Sequence, residues 1–261
     1  MLRFSANLST LFQQLPLRER FSAAAAAGFE AVEVWFPYEI PASELAALLK
    51  DHGLVCVGIN SPPGDVSQGD WGLALDRSRQ NLFDDSVAQA MAYAEAIDCP
   101  NVHVMAGNRV AGVSEAQALQ DYSASIERAC AIARRHGRRV MVEPLNAVDR
   151  PTYFLTRQQQ AIDLIDALQQ DNLGLMLDLF HLQRGEGNLV ERMRRSLPYA
   201  AHVQIADVPG RHEPGTGEIN FPFVFAELER LGYDGWIGCE YLPAGDTVDG
   251  LGWLQRLAMP A

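Results

Sequence analysis

The sequence predicts an α/β fold, a single (β/α)8 TIM barrel over residues 1–261. Three observations lead there. Short runs rich in Val, Ile and Leu alternate eight times with amphipathic helix-like segments, as buried parallel strands and their covering helices should. No composition shift and no Ser/Gly-rich linker marks a second domain. The first strand is followed by "NLSTLFQQLP", which contains no glycine, so the dinucleotide fingerprint of a doubly wound open sheet, the main rival, is missing.

Taken in order, the first strand is expected at 3–9 (RFSANLS), and Gly28 closes the first helix before the second strand at 31–36 (AVEVWF). A helix at 41–53 (PASELAALLKDHG) ends on Gly53, the usual C′ residue, ahead of the third strand at 54–60 (LVCVGIN). The long stretch 61–80 that follows lies on the catalytic face of a barrel, placed to act as a lid. The fourth strand is 101–107 (NVHVMAG). Ser114 opens the helix 114–137 as an N-cap with glutamine three residues on, and Gly137 ends it. The fifth strand is 139–146 (RVMVEPLN), and Thr156 caps the helix 156–169 by the same pattern. Strands at 173–180 (LGLMLDLF), 201–207 (AHVQIAD) and, after Gly232, 235–242 (GWIGCEYL) complete the barrel.

Composition excludes several function classes. A formal net charge of -12 argues against neutralising a phosphate backbone, so no nucleic-acid partner is expected. Lys50 is the only lysine and sits at the exposed-looking end of a helix, which leaves no candidate for Schiff-base chemistry. No run of 18 apolar residues and no secretory leader is present, so neither a membrane partner nor export is expected. Cys56, Cys99, Cys130 and Cys239 show no C-x-x-C spacing and read as free buried thiols, which suits the cytoplasm. The expected partner is a small molecule; self-association into a homo-oligomer is left open.

Side chains at the C-terminal ends of barrel strands converge on one pocket. The last four strands carry Glu143, Asp178, Gln204 and Glu240 there. Alternation sets Met141 with Glu143, Gly174 and Met176 with Asp178, His202 with Gln204, and Gly238 with Glu240 on the inward face, and Leu175, Leu177 and Leu179 on the helix face. Nearby carboxylates repel unless a cation lies between them, and four oxygen donors suit Mg2+ or Mn2+; zinc would favour a histidine in place of Gln204. The competing reading is four unrelated ion-paired or capping residues, which their placement on successive strand ends disfavours. His181, three residues after Asp178, is a candidate contact to substrate oxygen. His103 and His202 read as hydrogen-bonded core histidines, while Glu33 points inward toward either an arginine or a ligand. Trp35, Phe36, Tyr38 and Trp71 either close the pocket or pack the core. The polar segment 207–221 is either a fixed loop over the pocket, with Arg211 as an anion receptor, or a surface turn. Arg109 and Arg157 are the other candidate cations for a substrate carboxylate. A metal flanked by two carboxylates suits proton transfer between adjacent carbons through an enediolate, which is aldose–ketose isomerisation, or epimerisation if the proton returns to the same carbon.

The set Glu143, Asp178 with His181, Gln204 and Glu240 resembles that of the xylose-isomerase-like barrel superfamily, along nearly the whole chain. Within it, "FPY" (36–38), "VEPLN" (142–146), "LDLFHLQRGEGNL" (177–189), "HVQIADVPGRHEPGTGEINF" (202–221) and "GCEY" (238–241) resemble the hydroxypyruvate isomerase family and, equally, the 2-oxo-tetronate isomerase family. The resemblance implies that Glu143 and Glu240 are the acid/base pair and that all four residues hold Mg2+. It further implies interconversion of hydroxypyruvate and 2-hydroxy-3-oxopropanoate (tartronate semialdehyde). A ketose 3-epimerase on a neutral sugar would share the metal and both glutamates. A DNA endonuclease of the superfamily would need more metal-binding histidines and a basic face. A barrel without catalysis, serving as a binding module, is the third class.

Overall fold

Buried parallel strands require both faces covered, and the chain meets that requirement by closing its sheet. The computed structural model describes residues 2–257. Its strands are β1 (Arg3–Asn7), β2 (Ala31–Val34), β3 (Val55–Asn60), β4 (Asn101–His103), β5 (Arg139–Val142), β6 (Leu173–Asp178), β7 (Ala200–Ile205) and β8 (Trp236–Cys239). Each pairs in parallel with its sequence neighbour, and β1 pairs with β8 from Arg3↔Trp236 to Ala6↔Cys239, which closes the barrel and excludes the open sheet. The helices α1 (Leu17–Ala26), α2 (Ala42–Asp51), α3 (Gln80–Ala96), α4 (Glu115–Arg135), α5 (Gln158–Leu168), α6 (Leu179–Gly185), α7 (Leu189–Ser196) and α8 (Phe221–Arg230) fill the connections, and α9 (Thr247–Gly250) and α10 (Gly252–Leu257) follow β8. No helix among the described residues is long and apolar enough to cross a membrane.

The strands end earlier than the apolar runs suggest. β5 stops at Val142, so Glu143 and Pro144 lie just past the ladder. Pro144 has no N–H to offer a neighbouring strand, and the chain turns there toward the barrel mouth. The expected alternation is present: Leu175, Leu177 and Leu179 join the apolar core, while Met141 and Met176 are buried but stay outside that cluster. The register pairs Met141↔Gly174, Met176↔His202, Asp178↔Gln204 and Gln204↔Gly238, stacking the inward residues in layers.

One cap appears as expected and one does not. Ser114 Oγ accepts the Gln117 N–H at 3.2 Å. Thr156 does not cap α5, which starts at Gln158; Gln159, three residues on, turns to Asp163, and it is Gln160 that accepts the Thr156 N–H at 3.1 Å. The free N–H at the start of α5 is met from elsewhere, by Glu186 Oε1 at 2.7 Å from Gln158 N. The four cysteines are free and buried, as their spacing suggested.

The 61–80 stretch is tied down rather than loose. Asp65 and Asp76 cap short 3-10 turns at Val66–Gln68 and Arg77–Arg79, and Asp70 pairs with Arg79 at 2.6 Å. Gly72 docks it on the segment that follows β4: at φ +114° its missing Cβ would stand 2.3 Å from the Met105 carbonyl.

Beneath the mouth lies a buried polar layer. Glu33 accepts from Asn7 Nδ2 and Gln204 Nε2, both at 2.9 Å, and its Oε2 lies 2.6 Å from His202 Nε2. His202 is thus the hydrogen-bonded core histidine expected, and Glu33 is satisfied by amides and an imidazole rather than by an arginine. Gly238 leaves room for it, since a Cβ there would fall 2.5 Å from Glu33 Oε1. Gly238→Ala should therefore displace Glu33 from buried partners and cost about 1–3 kcal/mol, the range for an unsatisfied buried group. Denaturant titration checks this; a midpoint equal to wild type would show that Glu33 does not depend on that space.

Candidate functional site

Topology brings all four expected oxygen donors to the C-terminal end of the barrel. Glu143 and Glu240 directly follow β5 and β8, Asp178 ends β6, and Gln204 is one residue from the end of β7. All four are at most 6% exposed. Buried polar atoms are normally hydrogen-bonded, yet Glu143 Oε1, Asp178 Oδ2 and Gln204 Oε1 have no hydrogen-bond partner. Their other polar atoms are engaged nearby: Asp178 Oδ1 caps α6 by accepting the N–H groups of Phe180 and His181, and Gln204 Nε2 is held by Glu33. Asp178 and Gln204 are therefore each oriented by one atom, and all three residues leave one oxygen unclaimed. Ligand atoms of Glu143, Asp178 and His181 lie within 4.8 Å of one another, a grouping able to hold a metal ion.

The charge balance points the same way. Glu240 Oε1 accepts from the Trp35 indole N–H and, at 3.0 Å, from Asn7 Nδ2, while its Oε2 accepts from Arg211 Nη2. Arg211 Nη2 also lies 3.6 Å from Asp178 Oδ2. Arg211 thus pairs with Glu240 and stands near Asp178, which leaves Glu143 with no arginine at ion-pair distance among the described residues. Burial, reinforced by the charges of Glu240 and Asp178, pushes the Glu143 carboxyl well above the usual range. Burial pushes Glu240 up to about 8 against the pull of Arg211. Unclaimed oxygens and missing positive charge coincide, so the donor set fits a hard divalent ion.

His181 has its role narrowed by its neighbours. Its Nδ1 accepts the Asn146 backbone N–H at 3.1 Å, and burial lowers its pKa to about 4, so it is neutral. The hydrogen-bond network then assigns the proton to Nε2, which lies 3.9 Å from Glu143 Oε1 and 3.8 Å from Asp178 Oδ2. A protonated Nε2 has no lone pair for a metal. It is a donor aimed at the space between the carboxylates, so Gln204 and Glu240 are better partners than His181 for an ion held by Glu143 and Asp178.

Arg211 is fixed by Asp207, whose carboxylate accepts four backbone N–H groups from Val208, Gly215, Gly217 and Ile219 at 2.8–3.0 Å. The 207–221 segment is a rigid loop over the pocket rather than a surface turn, and it holds Arg211 in the left-handed region at φ +57°. The pocket is a cavity of about 340 Å³ lined by Glu143, His181, Arg211, Glu240 and the aromatic walls Trp35, Phe36 and Trp71. Tyr38 packs edge-on against Tyr93 instead. A larger recess of about 600 Å³ at the opposite barrel end is lined by strand starts such as Val55, Asn101 and Arg139, and Arg134 there is already paired with Asp171.

Three expectations need correction. Arg109 does not line the cavity: it pairs with Glu115 at the surface and lies 5.3 Å over the Phe154 ring, because the start of α4 offers it a local carboxylate. His103 is buried but not hydrogen-bonded; both ring nitrogens lack partners, Nδ1 stands 3.5 Å from Glu143 Oε2, and the residue lines the cavity. Burial, with a smaller push from His181, lowers its pKa to about 3, so it too is neutral. Arg157 does not line the cavity either, whereas Arg150 does and was not foreseen. Asn7, the link between Glu33 and Glu240, was also missed, although it ends β1 where the strand-end rule would have found it.

Residues 21–257 match the family described as xylose isomerase-like TIM barrel. The 2-oxo-tetronate isomerase of Pectobacterium atrosepticum is 42% identical over 255 residues, covering 98% of this chain and 97% of that protein. The hydroxypyruvate isomerase of Escherichia coli is 39% identical over 255 residues, covering 98% of this chain and 99% of that one. A crystal structure described as AP endonuclease, family 2, from Brucella melitensis superimposes with a TM-score of 0.95 at 42% identity, covering 98% of this chain and 99% of that one.

The site makes a sign-specific prediction about metal and pH. In metal-free protein the fold keeps Glu143 and Glu240 protonated where the unfolded chain, with glutamate near its ordinary value of about 4.3, ionises them. Their contribution to stability is complete below that value and is lost as pH rises toward about 8, the folded value of Glu240. A divalent cation binds the ionised form, so the rise in Tm on adding Mg2+ or Mn2+ should be larger near pH ~8 than near pH ~5. A Tm indifferent to both ions at both pH values would contradict the metal assignment.

Proposed function

Because the chain belongs to the xylose isomerase-like TIM barrel family, we propose that it is a metal-dependent isomerase of small hydroxy-keto acids. The observation that carries the reading is the trio of unclaimed buried oxygens on Glu143, Asp178 and Gln204 beside the Glu240–Arg211 pair. The names of the 2-oxo-tetronate isomerase and hydroxypyruvate isomerase relatives support the substrate class. The preferred reaction is hydroxypyruvate to 2-hydroxy-3-oxopropanoate and back; the four-carbon 2-oxo-tetronate is the same chemistry on a longer chain. The four free buried thiols fit a reducing cytoplasm.

Glu143, Asp178, Gln204 and Glu240 would hold Mg2+ or Mn2+. Once bound, that ion supplies positive charge where negative charge develops on the substrate oxygens. The protein's own groups handle the protons. Glu143, with one oxygen free of hydrogen bonds, takes a proton from the hydroxymethyl carbon. Glu240, held by Trp35, Asn7 and Arg211, gives a proton to the former carbonyl carbon, and exchange with water then reprotonates Glu240 and removes the proton from Glu143. The O–H proton of the substrate passes to the new hydroxyl, so atoms balance with no net redox change. The Nε2–H of His181 is placed to donate to a substrate oxygen as its charge grows. Trp35, Phe36 and Trp71 wall the cavity against water.

A ketose 3-epimerase would use the same groups and differs only in where the proton returns. The AP endonuclease description of the Brucella structure raises a nucleic-acid reading. A net charge of -12 and a cavity of about 340 Å³ speak against a duplex entering the site. Glu143→Gln should keep the fold and lose at least about a hundredfold in kcat on hydroxypyruvate, the usual weight of a positioned proton-transfer group. Turnover near that of wild type would remove Glu143 from the mechanism. A panel of hydroxypyruvate, 2-oxo-tetronate, tagatose and fructose, with and without Mg2+, ranks the substrate classes.

A further inference from the structure

The cavity contains a second arginine that the proton-transfer chemistry does not use. Arg150 lies between β5 and α5 and lines the same cavity as Glu143, His181 and Glu240. Its guanidinium carbon stands 3.5 Å from the centroid of the Trp71 ring, so two separate connections meet in one stack. Among the described residues that guanidinium has no hydrogen bond and no ion pair. Neighbouring Asp149 does not serve it: its Oδ1 accepts from Arg184 at 2.9 Å and its Oδ2 from Asn146 at 3.0 Å.

The need for such a group follows from the charges. A keto-acid substrate brings a carboxylate into a cavity lined by Glu143 and Glu240, with Asp178 grouped beside Glu143. Arg211 is committed to Glu240 and Asp178 and cannot also neutralise the substrate. A planar guanidinium stacked on an indole keeps its edge N–H donors free, the arrangement that accepts a carboxylate in bidentate fashion. Burial and the nearby charge of Arg211 both lower the pKa of Arg150, and the attraction of a bound anion would offset them. Resting on the isomerase reading, we propose that Arg150, held flat by Trp71, is the receptor for the substrate carboxylate and sets the preference for keto acids over neutral ketoses.

The test is steady-state kinetics on hydroxypyruvate, with Mg2+ present, for the full-length wild type, Arg150→Met and Arg150→Lys. For Arg150→Met, KM should rise at least about tenfold with kcat kept within about threefold, since binding common to ground and transition states is what is lost. Arg150→Lys should recover part of the KM, and added guanidinium ion should lower the KM of Arg150→Met. A KM rise below about tenfold, or a kcat loss as large as the loss in kcat/KM, overturns the assignment while leaving the isomerase reading intact. A wild type that turns over neither hydroxypyruvate nor 2-oxo-tetronate overturns both.

Discussion

Three carboxylates buried at one barrel mouth, with Arg211 paired to only two of them, form the constraint around which the rest of the site is arranged. In water such charges would be screened and would separate. Here the strand ends fix them, because the closed barrel sets the position of every C-terminal residue. The fold itself holds Glu143 and Glu240 toward their neutral forms. In the proposed isomerase a cation would reverse that bias at Glu143, so that binding the ion and arming the base would be one event.

Supporting layers make the arrangement specific. Glu33 turns the Gln204 amide so that its oxygen is the atom left free, and Asn7 spans Glu33 and Glu240. Asp207 gathers four N–H groups of its own loop and so fixes where Arg211 sits. Asn146 sets the tautomer of His181 through Nδ1. Each of these residues decides which atom of a neighbour is left free.

How much could be read from sequence follows from which elements obey simple periods. Glu143, Asp178, Gln204 and Glu240 were legible because side-chain alternation and the strand-end rule act on regular strands. Asn7 obeys the same rule at the end of β1. Parity alone could not show that His103 lacks partners, because hydrogen bonding depends on what the neighbouring strands present. The arginines were the least legible. Arg109 and Arg150 both lie on connections, where the path of the backbone, not a period, decides whether a side chain turns to Glu115 or to Trp71. Thr156 shows the same limit at a helix start, where Glu186 from a distant connection fills the role of a local cap.

The most direct measurement is a titration of Mn2+ into metal-stripped protein, followed by the electron paramagnetic resonance signal of the free ion. The account predicts that the free signal stays suppressed until about one equivalent per chain has been added. It also predicts that Asp178→Asn, folded by circular dichroism, loses that suppression. A free-ion signal rising from the first addition to the wild-type protein would contradict the claim that these carboxylates are buried to hold a cation.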